Sequence, residues 1–214
     1  MKRGFIPLEI LCRRRWQKSG DPSSLTGFTL IELLVVIAIL AVLATAVVLV
    51  LNPAELLRQG RDSTRLADLS SINSAIALYL ADASLVDLDE YNTACEHPTT
   101  PATLCTALGV NPMATGVCTV DGDTVVDGSG WVAVDFTDIP GGSVLPRLPV
   151  DPVNDTTFFY AYGCDMTPGS VVYELNANLE SEKLRSGGDN DLEVSTSDGG
   201  NNDNWYEIGT DLTL

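Results

Sequence analysis

Glu32 stands four residues inside an apolar run that opens at Phe28 and continues from Leu33 to Leu51, where Thr45 is the only residue that is not apolar. An ionised carboxylate within a membrane helix costs at least ~2.5 kcal/mol, so it requires a neutralising partner. Cleavage of the Gly27–Phe28 bond would supply one, because the new α-amine of Phe28 lies one helical turn from Glu32. A cation of a neighbouring copy is the alternative. The chemistry expected here is proteolytic processing followed by ion pairing, and the small Gly27 fits the position before a cut.

Oxygen donors are densest in Gly187-Gly188-Asp189-Asn190-Asp191 and in Asp198-Gly199-Gly200-Asn201-Asn202-Asp203-Asn204. Hard oxygen ligands on a glycine-loosened loop suit calcium, which tolerates irregular geometry. The spacing does not match an EF-hand, and a solvated acidic loop accounts for the same residues equally well. A further acidic stretch, Asp121-Gly122-Asp123 to Asp127-Gly128, reads as a plain turn.

Cys95, Cys105, Cys118 and Cys164 form an even set beyond the apolar run, while Cys12 precedes it. Outside the cytoplasm such a set forms two disulfides, with three possible connectivities. The expected pairs are Cys95–Cys105, whose nine-residue gap closes a small loop, and Cys118–Cys164. No pair has Cys-x-x-Cys spacing and His97 is the single histidine, so a zinc site is not expected. With no Gly-x-Ser-x-Gly and no histidine pair, His97 reads as a surface residue and an anchored hydrolase is disfavoured. Trp131, Trp205 and Tyr206 read either as a ligand platform or as sheet core.

The elements that must position these groups follow from periodicity. Leu33 to Leu51, with Phe28 to Ile31 ahead, is long enough to cross a bilayer as one helix. Asn52-Pro53 should bend or loosen it, because Pro53 lacks a backbone donor. The pattern then resumes: Leu66, Leu69, Ile72, Ile76 and Tyr79 or Leu80 recur at helical spacing to about Ala83. A helix from Phe28 to Ala83 would be ~80 Å long. Arg58, Arg61, Asp62, Arg65 and Asp68 gather near its middle. Arg61 and Arg65 either meet carboxylates of another copy or lie on a solvated face with intrahelical Asp/Arg pairs. Residues 84–130 read as looped, with one short helix near Pro101 to Leu108. Trp131–Phe136, Thr157–Tyr162 and Val171–Leu175 read as strands of a small antiparallel sheet of three or four strands, packed on the Leu69/Ile72/Ile76 stripe.

Charge divides where the apolar run begins. Residues 1–27 hold six Lys/Arg and two Asp/Glu, a net of +4, and residues 28–214 hold six and 27, a net of −21. A basic segment before an apolar span is expected inside, with the head outside. The acidic head repels nucleic acid, so none is expected as a partner.

Gly27-Phe28-Thr29-Leu30-Ile31-Glu32-Leu33-Leu34, followed by the apolar run, resembles the signal of type IV pilins and type II secretion pseudopilins. The resemblance implies a cut after Gly27 by prepilin peptidase and N-methylation of Phe28. Gly4-Phe5-Ile6-Pro7-Leu8-Glu9 has the same start, but Cys12-Arg13-Arg14-Arg15 follows it instead of a span. In the head, Leu148-Pro149-Val150-Asp151-Pro152, Phe159-Tyr160-Ala161-Tyr162, Tyr173-Glu174-Leu175, Asp198-Gly199-Gly200 and Asp203-Asn204-Trp205 follow the order of major pseudopilins. Asp151-Pro152 is followed by Val-Asn where that family usually has Trp-Gly, and the four head cysteines are additional.

The family resemblance implies an α+β, pilin-like lollipop, with a long N-terminal transmembrane helix on a small sheet and disulfide-held loops. Its parts would be a cleaved leader (1–27), an assembly helix (28–52), an amphipathic half (53–83) and a globular head (84–214). It further implies calcium at Asp198 and Asp203, a homo-oligomeric filament at the cell surface or in the periplasm, and service by an assembly platform and ATPase. The alternative is a non-polymerising anchored binding protein, such as an adhesin or minor pilin.

Overall fold

The computed structural model describes residues 27–89, 95, 103–113, 118–166 and 170–214. Its contacts divide the chain at residues 50 and 51 into two compact units. The first contains most of helix α1 (Leu30–Leu51). Every α1 side chain whose exposure is described faces outward, so this helix is apolar all round and buries no stripe of its own.

The helix does not run unbroken from Phe28 to Ala83. Asn52 adopts a left-handed conformation, φ 39°, and helix α2 (Pro53–Asp82) starts afresh behind it. The residue before a proline is disfavoured in the α region, and Asn tolerates the left-handed one. Asn52 then serves as the N-cap, its Oδ1 accepting from the Glu55 backbone N–H at 3.4 Å. Pro53 takes the first helical position, where its missing donor costs nothing.

The second unit is α2 laid on a five-stranded sheet of order β2-β1-β3-β4-β5. The strands are β1 (Leu104–Cys105), β2 (Thr119–Val120), β3 (Tyr160–Asp165), β4 (Val172–Ala177) and β5 (Tyr206–Gly209). The sheet is mixed, because β1 and β2 run parallel while β1/β3, β3/β4 and β4/β5 are antiparallel. Leu69, Ile72, Ile76 and Tyr79 of α2 are buried as the periodicity predicts. They share one core with Tyr160, Tyr162 and Cys164 of β3 and Tyr173, Leu175 and Ala177 of β4. On the opposite face Cys105, Cys118, Phe159, Ala161 and Trp205 form a smaller cluster.

Two local expectations fail. Trp131–Phe136 is not a strand: Trp131, Val132, Ala133, Val134 and Phe136 are buried, but the segment makes one isolated bridge, Asp127 to Asp135, and turns into a 3-10 helix, Phe136–Asp138. Asp135 enforces that turn by accepting from Thr137 N at 2.7 Å. The apolar β-branched run thus reports burial, which strand propensity measures as much as backbone preference. The short helix expected near Pro101 to Leu108 is replaced by β1, because pairing with β3 on one side and β2 on the other claims Leu104 and Cys105; residues 101 and 102 lie outside the described set.

Candidate functional site

Gly27, Phe28 and Thr29 precede the first turn of α1 in non-helical backbone. A Cβ built on Gly27 meets nothing within 4 Å, and Phe28 is 86% exposed, so the Gly27–Phe28 bond is open on the surface. Thr29 is the N-cap. Its backbone N–H and Oγ1 donate to Glu32 Oε2 at 2.8 and 2.7 Å, while the Glu32 N–H donates to Thr29 Oγ1 at 3.3 Å. This is a capping box, which satisfies two donors that the first turn would otherwise leave orphaned. In the uncut chain, therefore, the partner of Glu32 is Thr29 rather than an amine. The Thr-x-x-Glu spacing ahead of an apolar run is the signal that would have revealed it. Both Thr29 bonds fall on Oε2, and Oε1 accepts no hydrogen bond among the described residues.

The arginines of α2 are engaged within their own chain. Arg65 is fully buried, with Nε and Nη2 donating to Asp151 at 2.6 and 3.0 Å and Nη1 donating to Asp62 at 2.7 Å. Burial opposes the charge, but the bonds to Asp151 and Asp62 outweigh it and raise the Arg65 pKa. Asp62 also accepts from the backbone N–H groups of Glu180 and Ser181 at 2.9 and 2.8 Å, tying α2 to the segment after β4. Arg61 forms a bidentate pair with Glu180. Arg58 lies 3.7 to 3.9 Å from Glu55, Glu180 and Glu182. For Arg65 the intrahelical pair with Asp62 forms as one alternative had it, but on a buried face rather than a solvated one, and its second carboxylate, Asp151, belongs to the same chain. Its signal is positional: 62, 65, 69, 72, 76 and 79 keep an unbroken three-four spacing, so Asp62 and Arg65 occupy the core stripe itself.

The calcium candidates Asp198 and Asp203 each accept hydrogen bonds from backbone N–H groups. Asp198 Oδ1 accepts from Gly200 N at 3.0 Å and Oδ2 from Glu207 N at 3.1 Å, and Asp203 Oδ1 accepts from Ser195 N at 3.0 Å. Asp191 and Glu193 likewise accept backbone N–H groups. No group of three or more His, Cys, Asp or Glu is arranged to hold a metal among the described residues. The Asp121–Gly128 stretch is a run of turns in which Asp121, Asp123 and Asp127 each accept from the N–H two residues on.

The disulfides are Cys95–Cys164 and Cys105–Cys118, not the expected pairs. Sheet order decides this. Parallel pairing sets Cys105 of β1 opposite Val120 of β2, two residues beyond Cys118, and leaves the Cys105 and Cys118 Cα atoms 5.7 Å apart. Cys164 lies on the opposite, α2-covered face of the sheet and meets Cys95 at 5.0 Å. His97 lies outside the described residues. Trp131 is core, its Nε1 donating to Pro149 O at 2.9 Å, and Trp205 packs edge-on against Phe159 at 5.1 Å.

Residues 26–48 match the family model of the prokaryotic N-terminal methylation motif. No curated protein and no solved structure matches the chain. The match spans the exposed Gly27–Phe28 bond, the Thr29–Glu32 cap and most of the one described helix long and apolar enough to cross a membrane, and it supports a type IV pilin-like family for this chain.

Proposed function

We propose that this chain is a structural subunit of a type IV pilus or a type II secretion pseudopilus, cut by prepilin peptidase between Gly27 and Phe28, methylated on the Phe28 amine, and polymerised through α1. The observation that carries the reading is register. An exposed non-helical Gly27–Phe28 bond, Glu32 one turn later and an apolar helix with no covered face occur in one stretch. Before cleavage the membrane holds the chain by α1, with the basic leader inside and the head outside. After cleavage the Phe28 ammonium of this or another copy meets Glu32 at Oε1 while Thr29 keeps Oε2. Away from water such a pair selects the correct stagger even where its net energy is small.

The role is structural rather than catalytic. Mechanical work comes from an assembly ATPase acting through its platform, since no Walker motif occurs in this chain. The test is Glu32→Ala in the producing cell, with sheared filaments counted by electron microscopy. Cleavage after Gly27 should persist while filaments disappear. Filaments in normal number from that variant would overturn the registration mechanism.

A further inference from the structure

Residues 28–214 contain six basic side chains: Arg58, Arg61, Arg65, Arg147, Lys183 and Arg185. Arg58, Arg61 and Arg65 are engaged by carboxylates of the same chain, and Arg147 donates to Thr124 Oγ1 at 2.9 Å. Lys183 and Arg185 differ. Both are exposed, and neither side chain makes a hydrogen bond or ion pair among the described residues. They are nevertheless held in place by a built turn: Leu184 and Arg185 donate their N–H groups to Ser181 O, Gly188 to Arg185 O, and Asn190 to Lys183 O.

Arg185 borders a cavity of about 370 Å³ with Thr157, Phe158, Asn178, Ser186 and Asn204. The side-chain polar groups of Thr157, Asn178, Ser186 and Asn204 are likewise uncommitted among the described residues. The two carboxylates that reach its wall are already engaged, Glu180 by Arg61 and Glu193 by the N–H groups of Leu179 and Ser186 at 2.5 and 2.7 Å. What the cavity offers a visitor is one free guanidinium, a second cation two residues away, and hydrogen-bonding side chains beside two carboxylates that are already engaged. Such a set recognises a carboxylate, which a guanidinium grips with two parallel bonds.

We propose that Lys183 and Arg185 receive an acidic loop of a second copy of this chain. The argument is charge complementarity. Copies carrying −21 over residues 28–214 repel one another at long range, and packing them requires contacts of the opposite sign. Lys183 and Arg185 are the two cations left uncommitted by the described structure, and exposed acids such as Asp123 and Asp189 are abundant on the same molecule. The inference rests on the filament reading, because only a polymer holds copies close enough for the contact to form.

Lys183 is the only lysine beyond residue 18, which makes it a unique chemical handle. Filaments assembled from equal amounts of ¹⁴N- and ¹⁵N-labelled chains are treated with a zero-length carbodiimide, digested and analysed by mass spectrometry. The expected product joins Lys183 to an Asp or Glu peptide of the other isotope. Products of one isotope only, an unreacted Lys183, or linkage to a different protein would each overturn the contact. In parallel, Lys183→Glu/Arg185→Glu should be cut after Gly27 and retain both disulfides, yet yield filaments reduced about tenfold or more, with the loss deepest at low salt. Wild-type yield and unchanged salt dissociation would refute the proposal and leave the subunit reading standing. Failure of the unaltered chain to form filaments would instead remove the subunit reading, and this contact with it.

Discussion

Arg65 shows how a single side chain joins two parts of the fold. Its guanidinium holds Asp151 with two bonds and Asp62 with a third, while its cationic face lies 4.9 Å from the Phe158 ring. Removing one member of a fully buried ion pair leaves uncompensated charge, which costs more than the pair contributes. Arg65→Ala should therefore lower unfolding stability by about 3–5 kcal/mol, read by denaturant titration of the mature chain in detergent. A loss below ~1 kcal/mol, the range of an exposed pair, would contradict the buried clasp. Thr29 and Glu32 act on a smaller scale, as the first turn's own cap. At this scale much was legible: Thr-x-x-Glu is a recognisable cap, and residues 62 and 65 continue the apolar spacing of α2. What hid them was chemistry, since a charged residue in a core stripe reads as solvated until a buried partner such as Asp151 is brought from 86 residues away.

Among the elements, α2 was legible because one 30-residue helix with a regular stripe carries its own signal. The sheet was less so. β1 and β2 are two residues each and exist only through pairing, and the run at 131–136 is core without being strand. Disulfide pairing depends on strand order, which sequence separation does not encode. The same sheet makes a pH-dependent device of β4 and β5. Glu174 and Glu207 project from these neighbouring strands and are buried, and Asn176 Nδ2 donates to both, at 2.7 and 3.3 Å. Burial, reinforced by the neighbouring Glu174, pushes Glu207 up to about 8, and burial pushes Glu193 up to about 7.

A carboxyl with a raised folded pKa holds its proton more tightly in the fold than in the unfolded chain. Its stabilisation is complete below the ordinary value of 4.5 and is lost as pH climbs through about 7 to 8. Glu180 has the opposite sign: its hydrogen bond to Arg61 lowers its pKa, so its contribution is lost only as pH falls below the carboxylate range. The melting temperature should accordingly decline between about pH 5 and pH 8.5, and Glu207→Gln should flatten the upper part of that decline. An unchanged slope in the variant would place the titration elsewhere.

For the whole molecule, the proposed function has the chain handled in two stages, first anchored and then assembled. In that proposal the basic residues before Gly27 serve the first stage and are then discarded, while α1 serves both. In the proposed contact, copies of this acidic chain meet through Lys183 and Arg185, cations left outside the internal clasp. All of this depends on one covalent event, and that event leaves a mark on the chain. Mass spectrometry of the protein extracted from the cell envelope measures it directly. The account predicts a mature chain that begins at Phe28, with a methyl group on its amine. A chain retaining residues 1–27, or one beginning near residue 50, would contradict it, because Glu32 would then have no Phe28 ammonium to meet or would itself be gone.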